Sequence, residues 1–147
     1  MSGSLQDRLG RLVADHHVLY QKLRAFHWTV QGPAFFRLHE IFEGLYNDAA
    51  ETGDAIAERM LAKGAVPPLT MRAMLEASQL EEAPEGLDAM EMVQAVVADL
   101  GAVNESMRAA AREAEQAGDV ATMNLLDGKA DEREKTIWML RAFAGGR

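Results

Sequence analysis

Apolar positions recur every three or four residues along the first fifth of the chain: Leu9, Leu12/Val13, His16, Leu19/Tyr20, Leu23, His27, Val30. That is the spacing of one helix face, and it predicts a first helix from about Leu5 to Val30. Gln31-Gly32-Pro33 breaks it, because Gly leaves a helix easily and Pro cannot continue one. The pattern restarts near Phe35 and predicts a second helix to about Lys63, with Gly64 as its stop and Pro67-Pro68 beyond. From Gly64 to Gly86 the chain reads as a long connection, in which Thr70 to Ser78 forms a short helix. A third helix follows from about Leu87 to Ala117, opened by a capping pair, Asp88 and Glu91. Gly118 stops it, and Asp119 caps a fourth helix that runs to about Ala144. Gly145-Gly146-Arg147 reads as a frayed end.

Four long helices with no strand pattern predict an all-α fold. The first and third links are short, so each joins an antiparallel hairpin. The middle link is long enough to cross the bundle from end to end. That is the single-crossover connectivity of ferritin-like four-helix bundles, here with a short extra helix on the crossover. The chain of 147 residues reads as one domain, 1–147, large enough for one sizeable core. No internal repeat or low-complexity tract interrupts it.

Composition narrows the chemistry. There is no cysteine, which excludes disulfides, thiolate zinc sites and iron–sulfur clusters. The net charge of −8 argues against general affinity for nucleic acid, which needs basic surface. The first residues, MSGSLQDRLGRL, lack the apolar core of a signal peptide, and no stretch is apolar for long enough to span a membrane. These features predict a soluble cytoplasmic protein.

Two of the four histidines, His27 and His39, lie six residues before and six after Pro33. In an antiparallel hairpin they stand at about the same height on facing helices. Glu43, four residues beyond His39, shares its face. Two imidazoles and a carboxylate suit Fe(II), Mn(II) or Zn(II). A second spaced pair, Asp54 and Glu58, faces the same way further down the helix. At 1.5 Å per residue it lies roughly 16 Å from Glu43, too far for one ion to touch both. Two copies of this helix, packed antiparallel about a two-fold axis near residues 48–49, bring 39 opposite 58 and 43 opposite 54 in one register. The prediction is a pair of identical metal sites shared across an isologous dimer. An intrachain di-iron site of the Glu-x-x-His type is excluded, because that motif occurs nowhere in the chain.

Other side chains read more plainly. His16 and His17 have no partner in register and are expected in the core, as is Trp138. Glu40 and Asp48 are expected at a surface or interface. The stretch EEAPEG is solvated linker, and the nine methionines suit helix packing.

The segment FHWTVQGPAFFRLHEIFEGLYNDAAETGDAIAERMLAKGAVP carries His-Trp, Gly-Pro-x-Phe, Leu-His-Glu and Asp-x-x-x-Glu-Arg in series. It resembles the Dps family, mini-ferritins named as DNA-binding proteins from starved cells. The likeness continues through the short helix after Pro67-Pro68 and through KTIWMLRAF, covering nearly the whole chain. The resemblance implies a ferroxidase centre: His27, His39 and Glu43 from one subunit, Asp54 and Glu58 from its two-fold mate. Position 43 is more often Asp in the family. Trp28 matches a family tryptophan beside the site, which is thought to supply an electron and limit radical escape.

The resemblance further implies iron (Fe2+/Fe3+) as the metal, hydrogen peroxide as oxidant, and a hollow dodecamer that stores iron oxide. The enzymatic expectation is therefore a ferroxidase that protects against oxidative damage. Asp119, Asp127 and Asp131 are candidates for an acidic pore. The alternative is a nucleoid-binding protective protein with little ferroxidase activity. Its usual basic tail is not evident: the first eleven residues hold only Arg8 and Arg11, with Asp7 between, and the other end offers Arg147. DNA binding is therefore expected to be weak or absent.

Overall fold

The computed structural model describes residues 4–145. Its elements are α1 (Leu5–Thr29), α2 (Phe35–Ala62), α3 (Met71–Ala77), α4 (Ala89–Gln116) and α5 (Val120–Phe143). All the predicted helices form, with boundaries within two residues of those expected. Of the expected frayed end, Gly146 and Arg147 lie outside the described residues.

Local chemistry sets the helix ends. Ser4 and Asp7 make a reciprocal capping box at the start of α1, and Asp88 and Glu91 make another at α4. Each satisfies backbone N–H groups that a helix start leaves unpaired. Asp119 caps α5 through the Thr122 N–H. The α1–α2 turn needs Gly32, whose φ of +105° a side chain would resist.

Tertiary contacts concentrate between α1 and α2 and between α4 and α5, giving the two expected hairpins. Their inward faces make one core. Leu12, Leu19, Leu23 and Phe26 of α1 meet Leu38, Phe42, Ile56 and Met60 of α2. Val93, Val96, Leu100, Val103 and Met107 of α4, with Leu126 and Leu140 of α5, complete it. Beside the α1–α2 turn, the Phe26 and Phe42 rings pack with centroids 6.0 Å apart. Full burial of each ring is worth roughly 1.5–3 kcal/mol, so the hairpin is pinned near the two histidines.

The crossover is tied along α1. The buried Asp15 carboxylate accepts hydrogen bonds from Ser78 Oγ at 2.7 Å and from the Gln79 backbone N–H and side-chain amide, both at 2.9 Å. Lys22 donates to the Glu81 carbonyl at 3.0 Å and pairs with Asp99 at 2.9 Å. Burial pushes the Asp99 carboxyl above the usual carboxylate range, although Lys22 opposes the shift. The linker reading of EEAPEG thus holds for its coil conformation, while its first residue anchors the strap.

Two expectations are corrected by packing. Trp138 is 62 % exposed in the chain, not core. Ile137 and Leu140 take the inward stripe of α5, and one residue past Ile137 turns about 100° away from it. His17 is half-buried and lines a groove of 530 Å³ between α1 and α3, with Lys22, Met71 and Leu75. Asp48 stands at the surface, as expected, and is tied there: its side chain, 36 % exposed, binds Lys129 at 2.7 Å and Arg133 at 3.5 Å. His16 is core as expected, yet only half satisfied. Its Nδ1 donates to the Leu12 carbonyl at 2.6 Å, and its buried Nε2 has no partner among the described residues.

Candidate metal centre

The hairpin brings His27 and His39 into direct contact. Their rings stack with centroids 3.7 Å apart and planes 12° from parallel. His27 Nδ1 lies 2.6 Å from the His39 carbonyl oxygen, and His39 Nδ1 lies 2.8 Å from the His27 carbonyl oxygen. A carbonyl only accepts, so each Nδ1 carries the hydrogen and donates. Each Nε2 is thereby left with its lone pair outward, the tautomer a metal-binding imidazole needs. The backbone of one helix thus orients the ligand candidate of the other.

Around this pair the donor set is mixed. Glu43, 53 % exposed at its side chain, places Oε1 3.9 Å from His27 Nε2. The Phe35 ring stacks on His39 at 5.1 Å, and the Tyr46 ring meets His27 edge-on at 5.3 Å. Tyr46 was not singled out by the sequence reading. Its position, seven after His39 and three after Glu43, already places it on their face.

Asp54 and Glu58 are exposed on the same helix and form no ion pair among the described residues. Their neighbour Arg59 turns away, to Asp119 at 2.8 Å and Thr122 Oγ1 at 2.9 Å. Among the described residues of one chain, no group of three His, Asp or Glu side chains converges closely enough to hold an ion. One chain therefore stacks His27 on His39, sets Glu43 3.9 Å from His27, and leaves Asp54 and Glu58 apart. Two imidazole lone pairs with carboxylate oxygens fit Fe(II) chemically, being borderline nitrogen and hard oxygen donors.

Trp28 is 58 % exposed, and the Arg24 guanidinium lies over its ring at 4.8 Å. Of the acidic pore candidates, Asp119 is committed internally. Hydrogen bonds from Thr122 and the Arg59 guanidinium hold its carboxyl at about 2, against partial desolvation. Asp127 pairs with Arg108 at 3.1 Å, whereas Asp131 is exposed and forms no ion pair among the described residues. Glu40 is a surface group paired loosely with Arg37. No helix among the described residues is long and apolar enough to cross a membrane.

Known proteins resemble this chain in sequence and fold. The Ferritin-like domain family matches residues 6–146. The DNA protection during starvation protein of Brevibacillus brevis is 45 % identical over 135 residues, covering 92 % of this chain and 91 % of its own length. The crystal structure of a Dps protein from Bacillus brevis superposes with a TM-score of 0.92 at 44 % identity, covering 97 % of this chain and 99 % of that one. The Dps protein of Vibrio cholerae O1, described as a member of a broad superfamily of ferritin-like diiron-carboxylate proteins, superposes with a TM-score of 0.91. It is 33 % identical and covers 95 % of this chain and 87 % of its own. The fold is thus ferritin-like, and the chain belongs to the Dps family.

Proposed function

We propose that this protein oxidises Fe(II) with hydrogen peroxide at sites shared between two-fold-related subunits and stores the Fe(III) inside a hollow oligomer, a dodecamer as in the family resemblance. The observation that carries the reading is the reciprocal pair of Nδ1–H to carbonyl bonds between His27 and His39. It leaves two Nε2 lone pairs presented beside Glu43. Asp54 and Glu58, exposed and without an ion pair among the described residues, are the remaining ligands, supplied by the mate.

In this reading acidic surface, Asp131 included, draws Fe(II) inward. The imidazoles hold the ferrous ion, and the carboxylates favour the harder ferric ion once it forms. Two irons give one electron each, two protons come from solvent, the O–O bond of peroxide breaks, and two waters form without a hydroxyl radical. Iron is here substrate and cargo. The description of the Vibrio cholerae relative as a diiron-carboxylate protein supports that choice of metal. Cytoplasmic location is part of the same proposal.

The direct test compares peroxide with dioxygen as oxidant under iron-limited conditions. Fast oxidation with peroxide, two irons consumed per molecule, is expected. Equal rates with dioxygen make the protein a general iron store, and acceleration by neither removes the reading.

A second reading, protection by binding DNA, is favoured by one observation: relatives are named DNA protection during starvation protein. The charge of −8 opposes direct contact with phosphates. A gel shift of duplex DNA is expected to show little retardation at physiological salt, and strong, salt-sensitive retardation would reverse the order of the two readings.

A further inference from the structure

We propose that Tyr46 and Tyr20 form an electron-donating relay for the histidine pair, supplying the single electron that peroxide needs when only one ferrous ion is bound. The inference rests on the ferroxidase reading above and adds to it the residues that handle an odd electron.

Peroxide becomes water only if it receives two electrons, and one Fe(II) supplies one. Tyrosine and tryptophan are the side chains that yield an electron most readily. Among the described residues, the tyrosine or tryptophan ring in contact with the histidine pair is Tyr46, edge-on to His27 with planes at 84°. Tyr46 in turn meets Tyr20 edge-on, with centroids 5.5 Å apart and planes at 87°. These contacts make a continuous path from His39 through His27 and Tyr46 to Tyr20, from the hairpin turn back along α1.

The path ends under a cation. The Arg24 guanidinium lies 5.1 Å from the Tyr20 ring centre and 4.8 Å from that of Trp28. A fixed positive charge over an indole strengthens its neutral form and disfavours its radical cation. Tyrosine escapes this penalty, because it sheds its phenol proton on oxidation and ends neutral. Tyr46 and Tyr20 are both half-buried, so the phenol protons have a route to solvent. The resemblance points to Trp28 as electron donor, whereas the contacts favour the tyrosines.

The step balances. Fe(II) gives one electron and becomes Fe(III). Tyr46 gives one electron and its phenol proton and becomes a neutral tyrosyl radical. With one further proton from solvent, the O–O bond breaks and two waters form. Tyr20 then passes an electron and its own proton to restore Tyr46, moving the radical away from the metal.

The test mixes the assembled protein, loaded with less than one Fe(II) per site, with equimolar hydrogen peroxide and freezes it for electron paramagnetic resonance. A tyrosyl signal is expected in the unaltered protein. It should persist in Trp28→Phe and vanish in Tyr46→Phe/Tyr20→Phe, where a spin trap should instead collect hydroxyl radical. Phenylalanine preserves the ring packing, and the double variant should still oxidise iron when two ions per site are present. Iron oxidation without a tyrosyl signal, or with an unchanged signal in the double variant, overturns the relay alone. No iron oxidation at all overturns the ferroxidase reading and the relay with it.

Discussion

His27 and His39 each hold the other's ring through the other's backbone: two Nδ1–H groups, two carbonyls, 2.6 and 2.8 Å. The same bonds that orient the imidazoles join the two helices at the end of the hairpin. Site and fold are therefore coupled here. His27→Ala should abolish fast iron oxidation and also cost about 0.5–1.5 kcal/mol of stability, because it removes the part-buried hydrogen bond from His27 Nδ1 to the carbonyl of residue 39. Denaturant unfolding beside the oxidation assay checks both effects. Loss of activity with unchanged stability contradicts the coupling.

Burial, and then the charge of Arg133, lower His16 from 6.5 to about 3. The unfolded chain therefore binds a proton that the folded chain refuses between those two values. Stability should fall as pH drops through this window, by up to about 1.4 kcal/mol per pH unit from this one group. His16→Phe removes the titrating group, so its stability should vary less steeply between pH 6.5 and 3. Parallel slopes for the two proteins exclude His16 as the source.

A Cβ added to Gly53 would stand 3.1 Å from the His16 Cβ, where α1 and α2 approach closely. Gly53→Ala should therefore separate the helices slightly and destabilise by about 1–3 kcal/mol, despite the better helix propensity of Ala. Gly101, also within a helix, has open space at that position. Gly101→Ala should have the opposite sign, about 0.5–1 kcal/mol stabilising. Thermal unfolding of both variants gives the comparison.

Local chemistry was legible in the sequence. The Asp88–Glu91 box, the Asp119 cap and the Gly-Pro turn depend on neighbours within four residues, and each stands where the pattern put it. The histidine pair was legible because a short turn transmits register across a hairpin. What sequence hid is long-range. Asp48 finds Lys129 and Arg133 more than eighty residues away, and Asp15 finds the crossover at Ser78 and Gln79. Trp138 carries the composition of a core residue, but packing gave the inward stripe to its neighbours. Tyr46 shared the face of the candidate ligands and was still overlooked, since an aromatic beside a bundle core is normally packing.

The central claim is that neither subunit holds a whole site. It is tested most directly by co-assembling two inactive variants. His27→Ala/His39→Ala removes the imidazoles, and Asp54→Ala/Glu58→Ala removes the distant carboxylates. The second variant should keep its fold within about 0.5 kcal/mol, because both carboxylates are exposed and form no ion pair among the described residues. In a mixed dimer one interface site keeps Glu43 alone, while the other combines intact imidazoles with intact carboxylates. Co-assembled protein should therefore regain peroxide-driven iron oxidation that neither variant shows alone. Mixed oligomers that form and remain inactive would contradict the shared site.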